Sequence, residues 1–506
     1  MTGFAEILRE VMTLDPLRAQ IDFESRDYNW GELGAAVSVI AEALDALGLP
    51  PEARVGVILR NRPGHIAALA AVLVSGRCLV TLNPMQPDQR LAEEIAALGL
   101  PAVVVEEGDL LRPGLARELT RAGCGVVAIG ARLEGARLVG RGDGRLSTAA
   151  VAAGVAIEML TSGTTGTPKR VPLTRAAFDA SFAGFTAYER DRGSAEAPRL
   201  RSGVTMVVNP LTHIGGIYGC IGALLNGRKI ALLERFTVEG WVDLVRRNRP
   251  RVAPAVPSAI RMLLDANVRR EDLSSLSAII SGTAPLSADL VDAFLQRFGV
   301  PILGNYGATE FAGAVAGWTI DDFSAHWRDK RGAAGRVHAN VRARVVDPDT
   351  GHALAHGEEG LLELRGDQLG PAHRLDDGAW LRTTDRVVLD PERFLFIMGR
   401  ADNAIIRGGF KIHPEAIVQV LGEHPAVREA AVVGIPDDRL GSVPAAAVIL
   451  RDGAASPDEE ALKAWLRERL LPYQVPVRFR FVEDFPRTPS MKPSAPGLAE
   501  LFAEPK

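Results

Sequence analysis

Between residue 30 and about residue 310, short apolar runs alternate with longer segments whose apolar residues recur at helical spacing. One such segment, 287–298, lies between two apolar runs and is followed by Gly299, a residue type that commonly caps helices. A strand, a helix and a second strand in this order imply a right-handed crossover and parallel pairing. The pattern therefore predicts an α/β fold with parallel sheets. The predicted buried strands are 55–59, 78–82, 102–105, 126–129, 204–209, 230–233, 252–256, 278–281 and 301–304.

Beyond about residue 333 the apolar runs become closely spaced and are separated by Asp, Pro and Gly, which indicates a small, mostly antiparallel β subdomain. After Gly399 we expect a compact α+β region, in which a capping box starting at Ser456 begins a helix with Pro457 at its first position. The polar segment 399–403 predicts a domain boundary. The expected domains are a large N-terminal domain, 1–400, and a small C-terminal domain, 401–506. The strands predicted for the β subdomain are 342–346, 360–365, 387–389 and 394–398.

The composition is that of a globular protein and restricts its partners. The 506 residues are 47% hydrophobic and 24% charged, which suffices for a large core. Lys and Arg total 58 against 62 Asp and Glu, and this balance argues against nucleic acid as a partner. Cys78, Cys124 and Cys220 are odd in number and lack metal-like spacing, which favours a reducing compartment.

Neither secretion nor membrane insertion is predicted. The most apolar stretch, 66–80, is interrupted by Ser75, Gly76 and Arg77 and is too short to span a bilayer. The N-terminal residues include acidic side chains and lack the apolar core of a signal peptide. We therefore expect a cytoplasmic protein without a transmembrane segment.

A run of Thr, Ser and Gly that ends in Pro-Lys, residues 161–169, follows an apolar stretch. Glycines let backbone N–H groups turn toward an anion, hydroxyls add donors, and a lysine supplies a point charge, so a polyphosphate is the expected ligand. A flexible surface loop is the alternative, and the Gly-x-x-x-x-Gly-Lys-[Ser/Thr] pattern of a Walker A loop is absent. The candidate phosphate-binding residues are Thr161, Ser162, Gly163, Thr164, Thr165, Gly166 and Lys169.

This run closely resembles the phosphate-loop signature of the adenylate-forming superfamily, which includes acyl- and aryl-CoA synthetases, luciferases and adenylation domains. Further matches follow in the family's order along nearly the whole chain. The segment 305–310, Asn-Tyr-Gly-Ala-Thr-Glu, resembles the aromatic-Gly-x-Thr-Glu motif. The resemblance implies a base stacked on Tyr306, catalytic Thr309, and Glu310 as both a catalytic group and a Mg²⁺ ligand. The nucleotide-binding residues that it implies here are Asn305, Tyr306 and Gly307, with Gly282, Thr283 and Ala284 lining the adenine pocket.

The motifs implied for the ribose and the thiol lie further along the chain. Thr383-Thr384-Asp385 stands where the family usually has Thr-Gly-Asp, whose aspartate binds the ribose hydroxyls. Arg400 matches the arginine that contacts ribose and phosphate, and Asp402 matches the hinge about which the family's mobile C-terminal domain rotates. The segment 407–415 matches the motif that lines the thiol tunnel. Its implied coenzyme A-binding residues are Gly408, Gly409 and Lys411.

Near the end of the chain, residues 486–492 resemble the Pro-Arg-Thr-x-x-Gly-Lys motif, which implies that Lys492 is the catalytic lysine. Met491 stands where glycine is usual before this lysine, as Thr384 replaces the glycine of the ribose motif. The stretch 366–385 lacks the usual Gly-Tyr pair and is shortened. These departures affect loop geometry, but they remove no charged or metal-binding group.

Residues 209–216 resemble the segment beside the acyl substrate in CoA synthetases, and His213 occupies its aromatic-or-histidine position. A histidine between apolar runs is alternatively a core residue. Gly215 and Gly216 indicate either room or a close backbone approach. The stretch 204–233 has no Asp or Glu, which argues against an amino-acid substrate, and the lack of a basic residue within 209–216 disfavours dicarboxylates.

The resemblance implies an AMP-forming acid–thiol ligase that uses ATP, Mg²⁺ and coenzyme A. The expected substrate is a small carboxylic acid, aryl or medium-chain, which is activated to an acyl-adenylate and transferred to the thiol of coenzyme A. The alternatives are an acyl-AMP ligase that loads a carrier protein and a catalytically impaired nucleotide-binding homologue. A P-loop ATPase is a remote third possibility because the Walker motif is missing.

Overall fold

The structure, a computed structural model, describes residues 4–142, 151–161, 169–187, 198–369, 380–407, 410–437, 439–451, 453, 457–488 and 491–503. The chain divides into two compact units. The first contains the described residues up to 342 together with 365–369, and the second contains 343–364 and the described residues from 380 onward. The predicted α/β class is confirmed, whereas the domain boundary at residue 400 stays a prediction.

The first unit contains most of the parallel pairing. Its strands are β1 (Ala19–Phe23), β2 (Arg26–Asn29), β3 (Arg54–Ile58), β4 (Cys78–Leu82), β5 (Ala102–Glu106), β6 (Gly125–Ile129), β7 (Ala136–Arg141), β8 (Val155–Thr161), β9 (Lys169–Thr174), β10 (Val204–Val207), β11 (Lys229–Leu232), β12 (Val252–Pro254), β13 (Ala278–Ser281), β14 (Ile302–Ala308), β15 (Gly313–Gly317) and β16 (Gly335–Val337). Its helices are α1 (Phe4–Thr13), α2 (Trp30–Asp45), α3 (Pro63–Val74), α4 (Asp88–Leu98), α5 (Pro113–Arg121), α6 (Arg175–Ala187), α7 (Ile214–Leu225), α8 (Val238–Asn248), α9 (Pro257–Asp265), α10 (Ala288–Phe298) and α11 (Ile320–His326).

Three groups of strands in the first unit carry the predicted α/β pattern. One sheet has the order β7-β6-β5-β3-β4-β8-β9, parallel from β6 to β8 with an antiparallel strand at each edge. A second has the order β10-β11-β1-β2, in which only β1 and β2 are antiparallel. In the third group β12, β13 and β14 are parallel, and β15 and β16 continue it in antiparallel pairing. The parallel strands thus direct their carboxyl ends, and the loops that follow them, to common edges.

The core of the first unit is built around α3, a helix that is apolar on every side and fully buried. It shares one apolar cluster with α2 and α7, and the inner faces of β1 and β3 pack into the same cluster. The predicted helix α10 begins after Ser287, whose side chain accepts a hydrogen bond from Leu290 N at 3.3 Å. It ends at Gly299 in the left-handed region, as the sequence predicts.

The second unit is mainly antiparallel. Its elements are β17 (Arg342–Val346), β18 (Glu359–Arg365), β19 (Leu381–Leu389), β20 (Phe394–Arg400), β21 (Ile405–Arg407), β22 (Phe410–Ile412), β23 (Val427–Asp437), β24 (Gly441–Leu450), β25 (Arg478–Phe481), α12 (Pro414–Gly422), α13 (Glu459–Arg467) and α14 (Ala495–Glu500). Strands β17 to β20 form the predicted β subdomain. Strands β21 to β25 form a separate sheet, in which only β24 and β25 are parallel.

One predicted helix start is wrong. Helix α13 begins at Glu459, and its N-cap is Asp458, whose carboxylate accepts a hydrogen bond from Ala461 N at 2.7 Å. The prediction placed the cap at Ser456, which lies outside the described residues. Both residue types favour this position, and Asp458 is followed by two glutamates that complement the positive end of the helix dipole.

Among the described residues, no helix is both long and apolar enough to cross a membrane.

Candidate functional site

The candidate phosphate loop connects two paired strands. Strand β8 lies parallel to β4, and β9 returns antiparallel to β8 with Thr161 opposite Lys169. Ser162, Gly163, Thr164, Thr165 and Gly166 lie outside the described residues. The apolar stretch before the loop forms β8, and both ends of the loop are held by the same ladder of backbone hydrogen bonds.

The segment around Tyr306 lies at the end of β14, which forms a hairpin with β15. Thr309, Glu310 and Phe311 form a single 3₁₀ turn between the two strands. The Tyr306 ring is half-buried, with its centroid 5.9 Å from that of Phe311. The hairpin therefore presents a supported aromatic ring, a hydroxyl and a carboxylate within one short segment.

The candidate adenine segment is brought to the same edge as the Tyr306 hairpin. Strands β13 and β14 are parallel neighbours, so Gly282 and Thr283, which follow β13, lie beside Asn305. A Cβ atom on Gly282 would be only 1.9 Å from Asn305 Oδ1, so a larger residue there would displace the Asn305 side chain. Thr283 has a φ of 69°, a left-handed conformation that is uncommon outside glycine. Ala284 follows directly in the same loop.

Glu310 is the metal ligand that the resemblance implies. Its carboxylate forms no hydrogen bond or ion pair with another residue in the described ranges. Within those ranges, no group of three or more His, Cys, Asp or Glu side chains could hold a metal on its own. A single carboxylate suits Mg²⁺, which retains waters and binds substrate phosphates alongside one or two protein ligands.

Gln368 supports the turn that carries Glu310, and the sequence analysis missed it. Its side chain is buried, and its amide donates to Phe311 O at 3.0 Å and to Ala314 O at 3.1 Å. Its amide oxygen accepts from Asn340 Nδ2 at 3.2 Å. The side chain thus ties the end of the turn to the start of β15, although a lone glutamine in a polar stretch gives no sequence signal for such a role.

In the candidate acid-binding segment, His213 is the N-cap residue of α7, and its backbone N–H donates to Pro210 O at 2.9 Å. A Cβ atom on Gly216 would lie 2.2 Å from Pro210 O, so this glycine serves a close backbone approach. At Gly215 the nearest atom to such a Cβ is the amide nitrogen of Asn209, at 3.2 Å. Gly216 therefore serves a close backbone approach, whereas at Gly215 a larger residue would require only a small shift of the Asn209 side chain.

Asn61 is a second supporting residue that the sequence analysis missed. It follows β3, is buried, and its amide donates to Asn209 O at 3.0 Å. Its oxygen accepts from Leu211 N at 2.9 Å, so one side chain fixes the strand-to-helix connection that ends at His213.

An aromatic stack lies on the helices next to this segment. The rings of Phe182 and Tyr218 are stacked with centroids 4.7 Å apart, and Phe178 stacks on Tyr218 at 5.2 Å. Burial raises the pKa of Tyr218, so its hydroxyl stays protonated. A Cβ atom on Gly313 would be 3.1 Å from the Tyr218 ring, which brings α6, α7 and the start of β15 together around these rings.

In the second unit, the candidate ribose residues are neighbours. Asp385 on β19 is the register partner of Arg400 on β20. Thr383 is buried, and its hydroxyl donates to Leu362 O at 3.0 Å and accepts from Asp385 N at 3.1 Å. The strand pair thus brings together the two residues that the resemblance assigns to ribose and phosphate.

Arg400 also binds the candidate hinge residue. Its Nε donates to Asp402 Oδ1 at 2.8 Å and its Nη2 donates to Asp402 Oδ2 at 2.7 Å, a bidentate ion pair. Nη2 donates as well to the hydroxyl of Thr384 at 2.6 Å.

The candidate thiol-binding motif begins with β21, which pairs antiparallel with β22. Gly408 and Gly409 connect these strands and lie outside the described residues, as does the side chain of Lys411. Arg407 precedes them and donates to Tyr473 O at 2.7 Å, which fixes the hairpin to the chain that follows α13.

Lys492 lies in a closed loop near the end of the chain. Thr488 N donates to Lys492 O at 2.8 Å, and Met491 N donates to Thr488 O at 2.8 Å. Met491 has a φ of 63°, the left-handed conformation that glycine adopts most easily. Burial, and then the charge of Arg400, lower the pKa of Lys492 below its ordinary value of 10.5. Lys492 and Arg400 therefore share one electrostatic environment.

Comparison with known proteins gives a family match over most of the chain. Residues 9–372 match the AMP-binding enzyme family, and residues 417–492 match the AMP-binding enzyme C-terminal domain. The 4-coumarate–CoA ligase 5 of Oryza sativa subsp. japonica is 30% identical over 486 residues, which are 92% of this chain and 87% of that protein.

Solved structures resemble the whole chain. Amide bond synthetase McbA from Marinactinospora thermotolerans is 28% identical, with a TM-score of 0.81 over 99% of this chain and 100% of that chain. ATP-bound MatB from Rhodopseudomonas palustris has a TM-score of 0.82 at 24% identity and covers 99% of both chains, a likeness that shows the fold. The resemblance inferred from the motifs is confirmed. The chain belongs to the AMP-binding enzyme family, among the AMP-forming acid–thiol ligases of the adenylate-forming superfamily.

Proposed function

We propose that this chain activates an aryl or medium-chain carboxylic acid with ATP and transfers the acyl group to the thiol of coenzyme A. In the first step a carboxylate oxygen of the acid attacks the α-phosphate of ATP, and the bond to pyrophosphate breaks. In the second step the thiol attacks the acyl carbon and AMP leaves. The observation that carries this proposal is the grouping of Asp385, Arg400 and Lys492, a ribose acceptor and two cations, within the second unit.

The nucleotide is held by groups of different chemistry. Tyr306 offers a flat face to the base, and the backbone at Gly282, Thr283 and Ala284 lines its edge. The carboxylate of Asp385 accepts hydrogen bonds from the ribose hydroxyls. Backbone N–H groups and hydroxyls of residues 161–166, with Lys169, bind the phosphates, and Thr309 adds a hydroxyl.

Mg²⁺ suits the donor set at Glu310, whose carboxylate would hold the ion beside the phosphate oxygens. When bound, the ion offsets negative charge on those oxygens. Glu310 acts in this proposal by keeping its carboxylate fixed at the tip of the 3₁₀ turn.

Lys492 provides the positive charge for the first step. Its ammonium group stabilises the charge that builds up on the α-phosphate as the carboxylate attacks. Residues 401–506 then rotate about Asp402, which withdraws Lys492 and brings Gly408, Gly409 and Lys411 to the thiol arm.

Two observations support an aryl acid. The stack of Phe178, Phe182 and Tyr218 lies on α6 and α7, and α7 begins after His213, so flat apolar surface lies close to the proposed acid site. The relative from Oryza sativa is named for a ring-bearing acid. An amine in place of the thiol is the second candidate acceptor, favoured by the full-length likeness to an amide bond synthetase.

A pyrophosphate-release screen over carboxylic acids tests the proposal, with three arms: no acceptor, coenzyme A, and a panel of amines. Release with aryl or medium-chain acids, and multiple turnovers only when coenzyme A is present, is the expected result. Multiple turnovers with amines and none with coenzyme A would show that the acceptor is an amine and not the thiol. Adenylate formation without turnover on free coenzyme A would favour a carrier protein. ATP binding without release from any acid would mean an impaired homologue.

We expect Lys492→Ala to reduce adenylate formation by about 10²–10³-fold, because the variant removes the charge that faces the α-phosphate. Thioester formation from a supplied acyl-adenylate should change little. Quenched-flow measurements give the rate of adenylate formation and the rate of thioester formation separately. Lys463→Ala, which removes a lysine that pairs with Glu459 and Glu460 on α13, is the matched control and should leave both rates unchanged. Equal losses in both half-reactions for Lys492→Ala would contradict the assignment.

A further inference from the structure

Thr384 makes a contact that the usual residue at its position could not make. Its hydroxyl accepts a hydrogen bond from Arg400 Nη2 at 2.6 Å. The family usually has glycine here, which has no side chain. The hydroxyl is therefore an additional partner for an arginine that already binds Asp402.

The backbone does not require a particular residue at position 384. Thr384 lies inside β19, and its φ is outside the left-handed region, so a β-branched side chain fits without strain. Its carbonyl accepts from Ala401 N at 2.8 Å, a bond that any residue would form. What threonine adds is confined to its side chain and to Arg400.

Together two side chains fix the plane of the Arg400 guanidinium group. Asp402 binds Nε and Nη2 as a fork, and Thr384 binds Nη2 from the neighbouring strand. Arg400 ends β20 and Asp402 lies beyond it, so rotation of the backbone at Asp402 would move its carboxylate away from the guanidinium. The three-residue contact therefore belongs to one state of the hinge.

In this structure, where the contact is formed, the charge of Arg400 also acts on Lys492. Arg400 and Lys492 are the two cations that the proposed function assigns to the nucleotide in the first half-reaction. Any group that holds Arg400 against Asp402 thus favours the conformation for adenylate formation.

We propose that Thr384 is a positioning residue: its hydroxyl holds Arg400 against Asp402 and so favours the hinge state of the first half-reaction. The inference rests on the proposed function. It concerns one hydrogen bond to a charged group at an exposed site, so its effect is modest and specific to one half-reaction.

The test compares Thr384→Val, which keeps the β-branched shape, with Thr384→Ser, which keeps the hydroxyl. Thr384→Val should slow adenylate formation by about five-fold and leave thioester formation from supplied acyl-adenylate at the wild-type rate or above. Thr384→Ser should retain the wild-type rate of adenylate formation. Both variants should unfold at the wild-type temperature, which separates positioning from a loss of folding.

A double-mutant cycle with Arg400→Lys identifies the partner. A lysine cannot bind Asp402 as a fork and Thr384 together, so Thr384→Val should have no further effect in that background. Equal rates for wild type and Thr384→Val, or equal slowing of both half-reactions, would overturn the inference. If wild-type protein releases no pyrophosphate with any acid, it is the proposed function that fails.

Discussion

At the scale of single residues, the motifs that resemble those of the family contain unusual backbone conformations. Thr283, Ala312 and Met491 have φ values of 69°, 49° and 63° without being glycine. For such residues the left-handed conformation costs about 1–2 kcal/mol. All three lie within or next to a segment that we assign to the nucleotide or to catalysis. Local strain is therefore present where the proposed chemistry takes place, although other described residues, among them Glu24, Ser25 and Arg393, adopt the same conformation in turns elsewhere.

Met491→Gly should raise the free energy of unfolding by about 0.5–1 kcal/mol, because glycine adopts the left-handed region without strain but loses more backbone entropy on folding. Urea denaturation measures the change. Arg393→Gly is the matched control, since Arg393 has a φ of 68° in the turn between β19 and β20. Both variants should be stabilised by similar amounts, and a less stable Met491→Gly would show that the methionine side chain outweighs the strain.

At the scale of elements, continuous apolar runs could be predicted and unusual turns could not. The strands 78–82 and 278–281 match β4 and β13 residue for residue, because a strand buried on both faces is largely apolar. The strand 342–346 also matches β17, although only its last two residues are buried. The hairpin of β1 and β2 was missed. Its turn residues Glu24 and Ser25 have φ values of 51° and 63°, where a two-residue turn usually has Asn-Gly.

The same distinction applies to the candidate site. Motif order indicated Asp385 and Arg400 as partners in one site, and β19 and β20 make them neighbours. Gln368 and Asn61 were not found because their partners are backbone groups far away in sequence. Gln368 binds a carbonyl 57 positions away and Asn61 one 148 positions away. No pattern of side-chain types encodes such contacts.

Gln368→Leu should lower the free energy of unfolding by about 2 kcal/mol, because two buried carbonyls lose a donor. Adenylate formation should fall by about ten-fold or more, since the turn that carries Thr309 and Glu310 loses its support. Chemical denaturation and the rate of pyrophosphate release give the two values. Asn340→Ala, which removes only the partner of the Gln368 amide oxygen, should have a smaller effect on both. An unchanged rate in Gln368→Leu would limit its role to folding.

At the scale of the whole molecule, a partly buried charge network at the carboxyl ends of β3 and β5 contributes to stability. Arg62 Nη1 donates to both carboxylate oxygens of Glu106 at 2.7 and 2.8 Å, and Arg62 also pairs with Glu234. Nε2 of the fully buried His65 lies 2.9 Å from Glu106. Burial lowers the pKa of His65, so the neutral ring donates from Nε2. The hydrogen bond from His65, opposed by burial and assisted by Arg62, lowers the pKa of Glu106 to about 2.

The free energy of unfolding should therefore fall in two stages on acidification. Below about pH 6.5 the unfolded chain protonates His65 while the folded protein does not, so stability is lost. From about pH 4.5 toward pH 2 the unfolded chain protonates Glu106 while the folded protein does not, and more stability is lost. Urea midpoints measured across this range test both stages.

His65→Gln should make the first stage shallower without abolishing it, because burial also lowers the pKa of His338 to about 4. Glu106→Gln should remove the stability contributed by this carboxylate in the second stage. A stability that stays constant between pH 7 and pH 5 would contradict the neutral, buried state of His65.

The first turn of α7 has a consequence for redesign of this enzyme. A methyl group at Gly216 would collide with the carbonyl of Pro210, whereas at Gly215 it would meet only the movable amide of Asn209. If the proposed acid site is correct, substitutions that change the acid preference are expected at position 215, where the Asn209 side chain must shift, and not at position 216. A combinatorial library that randomises position 215 and keeps Gly216 should therefore contain a larger fraction of folded variants than one that also randomises position 216.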